Sequence, residues 1–283
     1  MKPHEVVNKI FDLCQNSSLS FLDKTKQIEL ELNRCSKKEI LEHLFHAGVI
    51  PECFGPSSTE EKIYAKYCNI LVAKAFEELG LKAVVIEARG GAPDVIIKYS
   101  DYEVAGDAKA FRLSRTAKNP KDFKVEALSQ WKGKADYACL IAPIYQYLKV
   151  RSQIYDQAIR YNVTLLSFTH LAFMIYGKKF NIERLKELWL AGKNMNRTQR
   201  AYTYWSEIKR IMLRITEGET LDWQKTVSNR HLLLKKQAEE QMLHWEEEKK
   251  KISKLDHNVA VSELIKTLKI DMKISEIKKI AGL

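Results

Sequence analysis

Between Lys82 and Phe111 the chain places three strand-like runs, "KAVVIEA", "DVIIKY" and "EVAGDAKAF", separated only by a Gly90-Gly91 turn and a Ser100-Asp101 turn. Connections that short join only antiparallel neighbours, so the three runs form a meander. Two further apolar runs, "DYACLIA" and "VTLLSF", follow, each preceded by a helical stretch: "DFKVEALSQW" before the first, Ser152 to Tyr161 before the second. Strands alternating with helices require crossovers, and crossovers lay helices over a sheet. The expected fold class is therefore α/β, a central mixed β-sheet flanked by helices, with further helical regions at both ends of the chain.

From Met1 to Ile50, "HEVVNKIFDLC" and "KKEILEHLFHAGVI" repeat apolar residues at helical spacing. The breaker "PECFGPSS" ends this region, and Ser58 with Glu61 forms a capping box. It opens a helix carrying Ile63, Tyr67, Leu71 and Phe76 towards a stop at Gly80. Beyond Asn194 the strand signals cease and long charged helices follow. Three regions result: 1–50 helical, 51–193 the sheet-bearing core, and 194–283 a helical region suited to dimerisation or to clamping DNA. Within the last, "HWEEEKKK" reads as a solvated helix face with i,i+4 ion pairs.

The chain has 47 Lys and Arg against 36 Asp and Glu, a formal charge of +11, which favours a polyanionic partner. Five cysteines, Cys14, Cys35, Cys53, Cys68 and Cys139, are odd in number and show no C-x-x-C pair, so neither a disulfide framework nor a zinc ribbon is expected. The amino terminus lacks an apolar signal core, and the most apolar stretch, "LLSFTHLAFMIYG", is too short to span a bilayer. A cytoplasmic location is expected.

Chemistry concentrates in the meander. Asp107 and Lys109, two apart on a strand, project to one side, and Asp94, at the start of the neighbouring strand, reaches the same point. Two hard carboxylate oxygens suit Mg²⁺, which keeps several waters and takes further ligands from phosphate oxygens. Such an ion polarises a phosphodiester, and a lysine beside it orients water and offsets the charge developing on phosphorus. Asp/Glu-x-Lys alone is common, recurring at Asp122 to Lys124, Glu207 to Lys209 and Asp271 to Lys273 in helix-like segments. The Pro93-Asp94 pair in front, the meander between and the helix-strand pair behind give the outline of a PD-(D/E)-x-K nuclease core. A plain strand-end ion pair between Asp107 and Lys109 is the competing reading.

Between Lys109 and Lys134 eight Lys and Arg face two acids, Asp122 and Glu126. A basic loop beside a metal site suits phosphate positioning, though a solvated loop has the same composition. Within it Arg112 and Arg115 suit phosphate or guanine, and the Asn119 amide suits an adenine edge. Glu61 is either a helix cap or an acid that steadies a second ion or a water. Glu87 either approaches DNA or solvates a strand end. His43 and His46, three apart on a helix, read as packing or surface groups rather than a metal pair. Tyr202, Tyr204 and Trp205 read as core or dimer contacts rather than a base-stacking platform.

The run "DAKAFRLSRTAKNPKDFKVEALSQW", with "PSSTEEK" and "LVAKAF" upstream, closely resembles the HindIII-type family of type II restriction endonucleases. The similarity runs from about Ile50 to Phe168. It implies a homodimer that cuts the palindrome AAGCTT in double-stranded DNA after the first A, with Mg²⁺ as cofactor and Mn²⁺ as a substitute. It further implies that Asp94, Asp107 and the carbonyl of Ala108 bind the metal, that Lys109 is the catalytic lysine, and that Lys124 is a second active-site lysine. Ala117, Lys118 and Asn119 match the base-reading loop, and Lys121 and Asp122 are retained as DNA contacts. Pro93 stands where the family has Gly, and Pro120 replaces a Gln beside Asn119. No cofactor-binding glycine motif of a methyltransferase is present, so protection of host DNA falls to a separate cognate methyltransferase. A repair or junction-resolving nuclease on the same core and a non-enzymatic DNA-binding protein are the alternatives.

Overall fold

The computed structural model describes residues 1–87, 91–115, 120–177, 179–267, 270, 273–275 and 278. Its centre is a five-stranded sheet in which spatial order follows chain order: β1 (Lys82–Val85), β2 (Val95–Tyr99), β3 (Tyr102–Ala108), β4 (Tyr137–Ile141) and β5 (Val163–Leu166). β1, β2 and β3 are antiparallel neighbours, whereas β3, β4 and β5 run parallel. This is the mixed sheet expected. The two-residue turn between Tyr99 and Tyr102 sets the β2–β3 register, with Ser100 taking the positive φ that such a hairpin needs.

The helices before the sheet are α1 (Val6–Gln15), α2 (Phe21–Asn33), α3 (Lys37–His46) and α4 (Thr59–Glu78). Ser20, Ser36 and Ser58 cap α2, α3 and α4 by accepting backbone N–H groups. α4 lies against β1, β2 and β3 and buries one residue after another from Tyr67 to Ala73. In the β3–β4 crossover the expected single helix is two pieces, α5 (Pro120–Phe123) and α6 (Val125–Trp131). Lys124, at φ 52°, breaks it. α7 (Gln153–Tyr161) makes the next crossover and packs on α6 and β5.

After the sheet come α8 (Phe168–Tyr176), α9 (Leu185–Trp189), α10 (Ala201–Thr216), α11 (Thr220–Ile252) and α12 (His257–Thr267). α8 is buried from Phe168 to Ile175, so its sequence has no apolar-polar period and carried no helical signal. Tyr204 and Trp205 of α10 join the core: Tyr204 accepts the Leu165 N–H at 2.8 Å and Trp205 donates to the Tyr155 hydroxyl at 3.2 Å. Tyr202 is exposed. The chain divides into two compact units, Met1–Gln237 and Ala238–Leu283. Among the described residues no helix is long and apolar enough to cross a membrane. All five cysteines are free.

Candidate active site

Pairing of Val95 with Gly106 leaves Asp94 and Asp107 as the next pair outward on the hairpin. The Asp94 N–H donates to the Gly106 carbonyl at 2.9 Å, and the Ala108 N–H donates to Asp94 Oδ2 at 3.3 Å. The two carboxyl groups thereby come within hydrogen-bonding reach of each other. Asp107 is only 2% exposed, and the Lys109 ammonium forms a close ion pair with its Oδ2. Lys109 is held in turn by its own N–H, which donates to the Ile141 carbonyl of β4 at 2.8 Å. Burial, the largest influence, pushes the Asp107 carboxyl up to about 7; Lys109 opposes the rise and Asp94 adds to it.

This donor set fits a hard divalent cation. Asp107 Oδ2 is sealed from solvent and its charge is met by the Lys109 ammonium, while Asp94 brings a second carboxylate beside it, so two hard oxygen donors share one place. Among the described residues no three His, Cys, Asp or Glu side chains converge, so an ion held here takes its other ligands from a backbone carbonyl, water and phosphate, as Mg²⁺ prefers. Ala108 lies between the acid and the lysine, its N–H donating to Asp94 Oδ2.

The loop that leaves Lys109 is pinned to the segment before α4. The Phe111 N–H donates to the Gly48 carbonyl at 2.9 Å and the Ile50 N–H to the Phe111 carbonyl at 3.1 Å. Gly48 has φ +85°, and a Cβ there would stand 2.6 Å from Pro143 Cγ and 2.8 Å from Phe168, so only glycine fits. Arg112, expected on DNA, is instead turned inward. Its Nη1 donates to the Pro51 carbonyl at 3.0 Å and its Nη2 to the Phe54 carbonyl at 2.7 Å, with Glu61 Oε2 at 3.4 Å. Glu61 also accepts the Ser57 N–H at 2.5 Å, one residue before the Ser58 partner expected of a capping box.

Glu52, which the sequence did not single out, accepts from the Ser114 N–H at 3.0 Å and the Ser114 hydroxyl at 2.9 Å. Gln146 Nε2 adds a bond to the Arg115 carbonyl at 3.3 Å. Arg115 itself is solvent-facing and pairs with Asp122 at 3.3 Å, while Lys121 is exposed. Ala117, Lys118 and Asn119 lie outside the described residues. Lys124 is exposed at the α5–α6 break, its ammonium 5.6 Å from the Trp131 ring centroid, and no ion pair joins it to Asp94 or Asp107.

Glu87 is exposed just past β1. Its neighbour Ile86 donates its N–H to the Asp94 carbonyl at 2.8 Å and accepts Lys66 Nζ at 2.9 Å. Lys66 is a second unforeseen contributor, since a lysine inside a helical pattern looks like any solvated one. His43 is buried between the Tyr67 hydroxyl, 2.8 Å from Nδ1, and the Met1 carbonyl, 2.9 Å from Nε2, which makes it a packing group.

A profile of the HindIII restriction endonuclease family matches residues 4–281. The type II restriction enzyme HindIII of Haemophilus influenzae is 36% identical over 284 residues, spanning 96% of this chain and 90% of that protein. Among solved structures, the small subunit of the heterodimeric restriction endonuclease R.BspD6I matches with 14% identity and a TM-score of 0.36, over 53% of this chain and 89% of its own. A mixed sheet bearing two acids and a lysine at one strand end, together with these sequence matches, defines the class as site-specific endonuclease. Within that class the chain belongs to the HindIII restriction endonuclease family.

Proposed function

We propose that the chain is a Mg²⁺-dependent homodimeric type II restriction endonuclease that cuts double-stranded DNA at AAGCTT, after the first A of each strand. One observation carries this reading: a nearly buried Asp107 joined by Asp94 and Lys109 where two paired strands end. The 36% identity to a HindIII enzyme across nearly the whole chain supports the choice of sequence.

Asp94, Asp107 and the Ala108 carbonyl would hold the cation, which would supply Lewis acidity towards the scissile phosphate. Asp107 would bind it as the carboxylate, its proton released to solvent. Lys109 positions the attacking water and offsets negative charge on the phosphate oxygens as the bond from the water oxygen to phosphorus forms and the P–O3′ bond breaks; the attacking water's proton passes to solvent, and the 3′ oxygen leaves as a hydroxyl after taking a proton from a second water. Lys124 serves as the second lysine once DNA is bound. Arg115, Lys121 and Asp122 contact the duplex, Ala117, Lys118 and Asn119 read bases, and Glu87 lies at the margin of the groove. Arg112 and Glu61 support the loop from within. Residues 51–193 form the nuclease core, 1–50 its helical lead, and 194–283 carry the association surface.

A two-fold protein matches a two-fold sequence, so each subunit cuts one strand. Mn²⁺ substitutes for Mg²⁺ because it accepts the same oxygen donors. The enzyme acts in the cytoplasm alongside a separate methyltransferase that shields host sites. Plasmid digestion with and without Mg²⁺, followed by sequencing of the fragment ends, tests this. Ends beginning 5′-AGCTT support the proposal; random ends remove the sequence assignment, and cutting that persists in EDTA removes the metal.

A further inference from the structure

The +11 charge of the chain lies wholly in residues 1–237; residues 238–283 carry nine basic and nine acidic side chains and no net charge. DNA affinity comes chiefly from cations facing phosphate, so a neutral unit is poorly suited to clamp a duplex. A membrane surface likewise calls for a cationic polar face.

The unit nevertheless exposes apolar side chains at coiled-coil spacing. On α11, Met242, Trp245 and Ile252 share one face with Lys249 between them, and they are 57%, 51% and 61% exposed. α12 has no buried residue at all and exposes Val259, Val261 and Leu264. α12, with eleven residues and none buried, is too short to be stable by itself, and an exposed apolar face of this kind is stabilised by covering it with another surface.

The charges on the same turns say which surface. Glu246, Glu247 and Glu248 are followed at once by Lys249, Lys250 and Lys251. Laid antiparallel on a copy of itself about a two-fold axis between Glu248 and Lys249, the helix brings Glu246 and Glu248, which flank the apolar face, level with Lys251 and Lys249 of the other copy, the nearest contact being Glu248 with the Lys249 on the facing seam. Trp245 then comes level with Ile252. Parallel pairing would put like charges side by side. In the single chain Lys251 meets Glu248 on its own helix at 2.6 Å, an exposed pair that is readily exchanged.

We propose that residues 238–252 of two copies pair antiparallel about this axis and form an interface of the homodimer. This rests on the homodimeric reading above and assigns it a surface. Two full-length charge-block variants test it by sedimentation: Glu246→Lys/Glu247→Lys/Glu248→Lys, and Lys249→Glu/Lys250→Glu/Lys251→Glu. At a concentration where the unmodified protein is dimeric, each variant alone sediments as a monomer and an equimolar mixture returns to dimer. Trp245→Ala, which leaves every charge in place, weakens the dimer at least tenfold. Variants that stay dimeric alone, or a mixture that stays monomeric, overturn this surface while leaving the homodimeric nuclease standing. An unmodified protein that is monomeric overturns both, and plasmid cleavage, measured separately, reports on the nuclease alone.

Discussion

Asp107 and Lys109 form an ion pair in which the acid is almost wholly buried and the base keeps 19% of its side chain in solvent. The carboxylate is fixed and desolvated, while the ammonium has a path outward. That asymmetry suits a site in which one group holds a cation and the other meets an incoming phosphate.

Replacing Asp107 with Asn keeps the volume but removes one anionic ligand. Loss of metal-assisted charge stabilisation worth several kcal/mol corresponds to a fall of about a thousandfold or more in cleavage rate. Duplex binding, followed by fluorescence anisotropy in Ca²⁺, stays within about threefold, because removing one negative charge from the floor does not repel DNA. Near-normal cutting by this variant would end the case for the site.

The raised Asp107 carboxyl makes metal binding pH-dependent. Each ion that loads displaces one proton, so affinity for Mn²⁺ drops roughly tenfold per pH unit below about 7 and levels off above it. In the metal-free protein the native state retains this proton between the ordinary 3.8 and about 7, where the unfolded chain has lost it. Native protein binds more protons there, so this group's contribution to stability falls as pH rises across that window. Lys109→Met removes the opposing ammonium and moves metal loading to higher pH. Titration calorimetry in buffers of different ionisation enthalpy measures both effects; absence of proton release at pH 6 contradicts them.

Arg112 ties four partners of the Pro51–Glu61 segment, two carbonyls and two carboxylates, to the loop that follows Lys109. Arg112→Ala takes the cation away from the buried Glu52 carboxylate, leaving it only neutral donors such as Ser114, and opens the contacts to Pro51 and Phe54, at a cost of about 3–5 kcal/mol in urea unfolding. Arg112→Lys does not restore it, since an ammonium cannot span the carbonyls that a planar guanidinium joins. If the alanine variant unfolds like the parent and loses only DNA affinity, Arg112 is a DNA contact after all.

His170 is buried in α8, stacked between Trp205 and Trp223 at centroid distances of 5.2 and 4.7 Å. Its Nδ1 accepts the Ser167 N–H at 3.0 Å, which requires the neutral ring, and burial lowers its pKa from 6.5 to about 3. The unfolded chain takes up a proton below 6.5 that the native chain refuses. Stability present above 6.5 is therefore lost at up to about 1.4 kcal/mol per pH unit as pH falls towards 3. His170→Gln flattens that limb of the urea-stability profile; an unchanged slope would place the acid sensitivity elsewhere.

The sheet was legible because its strands announce themselves locally: β-branched runs, the two-residue Ser100-Asp101 turn and the Asp94–Asp107 offset follow from period-two geometry. The convergence of Asp94, Asp107 and Lys109 needed nothing more. Glu52, Lys66 and Gln146 were hidden because each acts on residues far along the chain, and a single glutamate after Pro51 carries no local signature of a partner at Ser114. Arg112 is the complementary case. Its composition suits DNA, but only tertiary structure shows that the carbonyls of Pro51 and Phe54 reach it first. The long charged α11 was legible as a helix, whereas the point where it leaves the sheet-bearing unit depends on packing.

The tethers at Ser114 and Arg115 on one side and the Phe123–Tyr147 stack on the other leave a short span of chain between two fixed posts. On the function proposed above, sequence preference would sit in an exchangeable insert, mounted on a chassis that also aligns Asp107 and Lys109. Grafting the corresponding residues from a relative with a different target should retune what is read while the blade stays sharp.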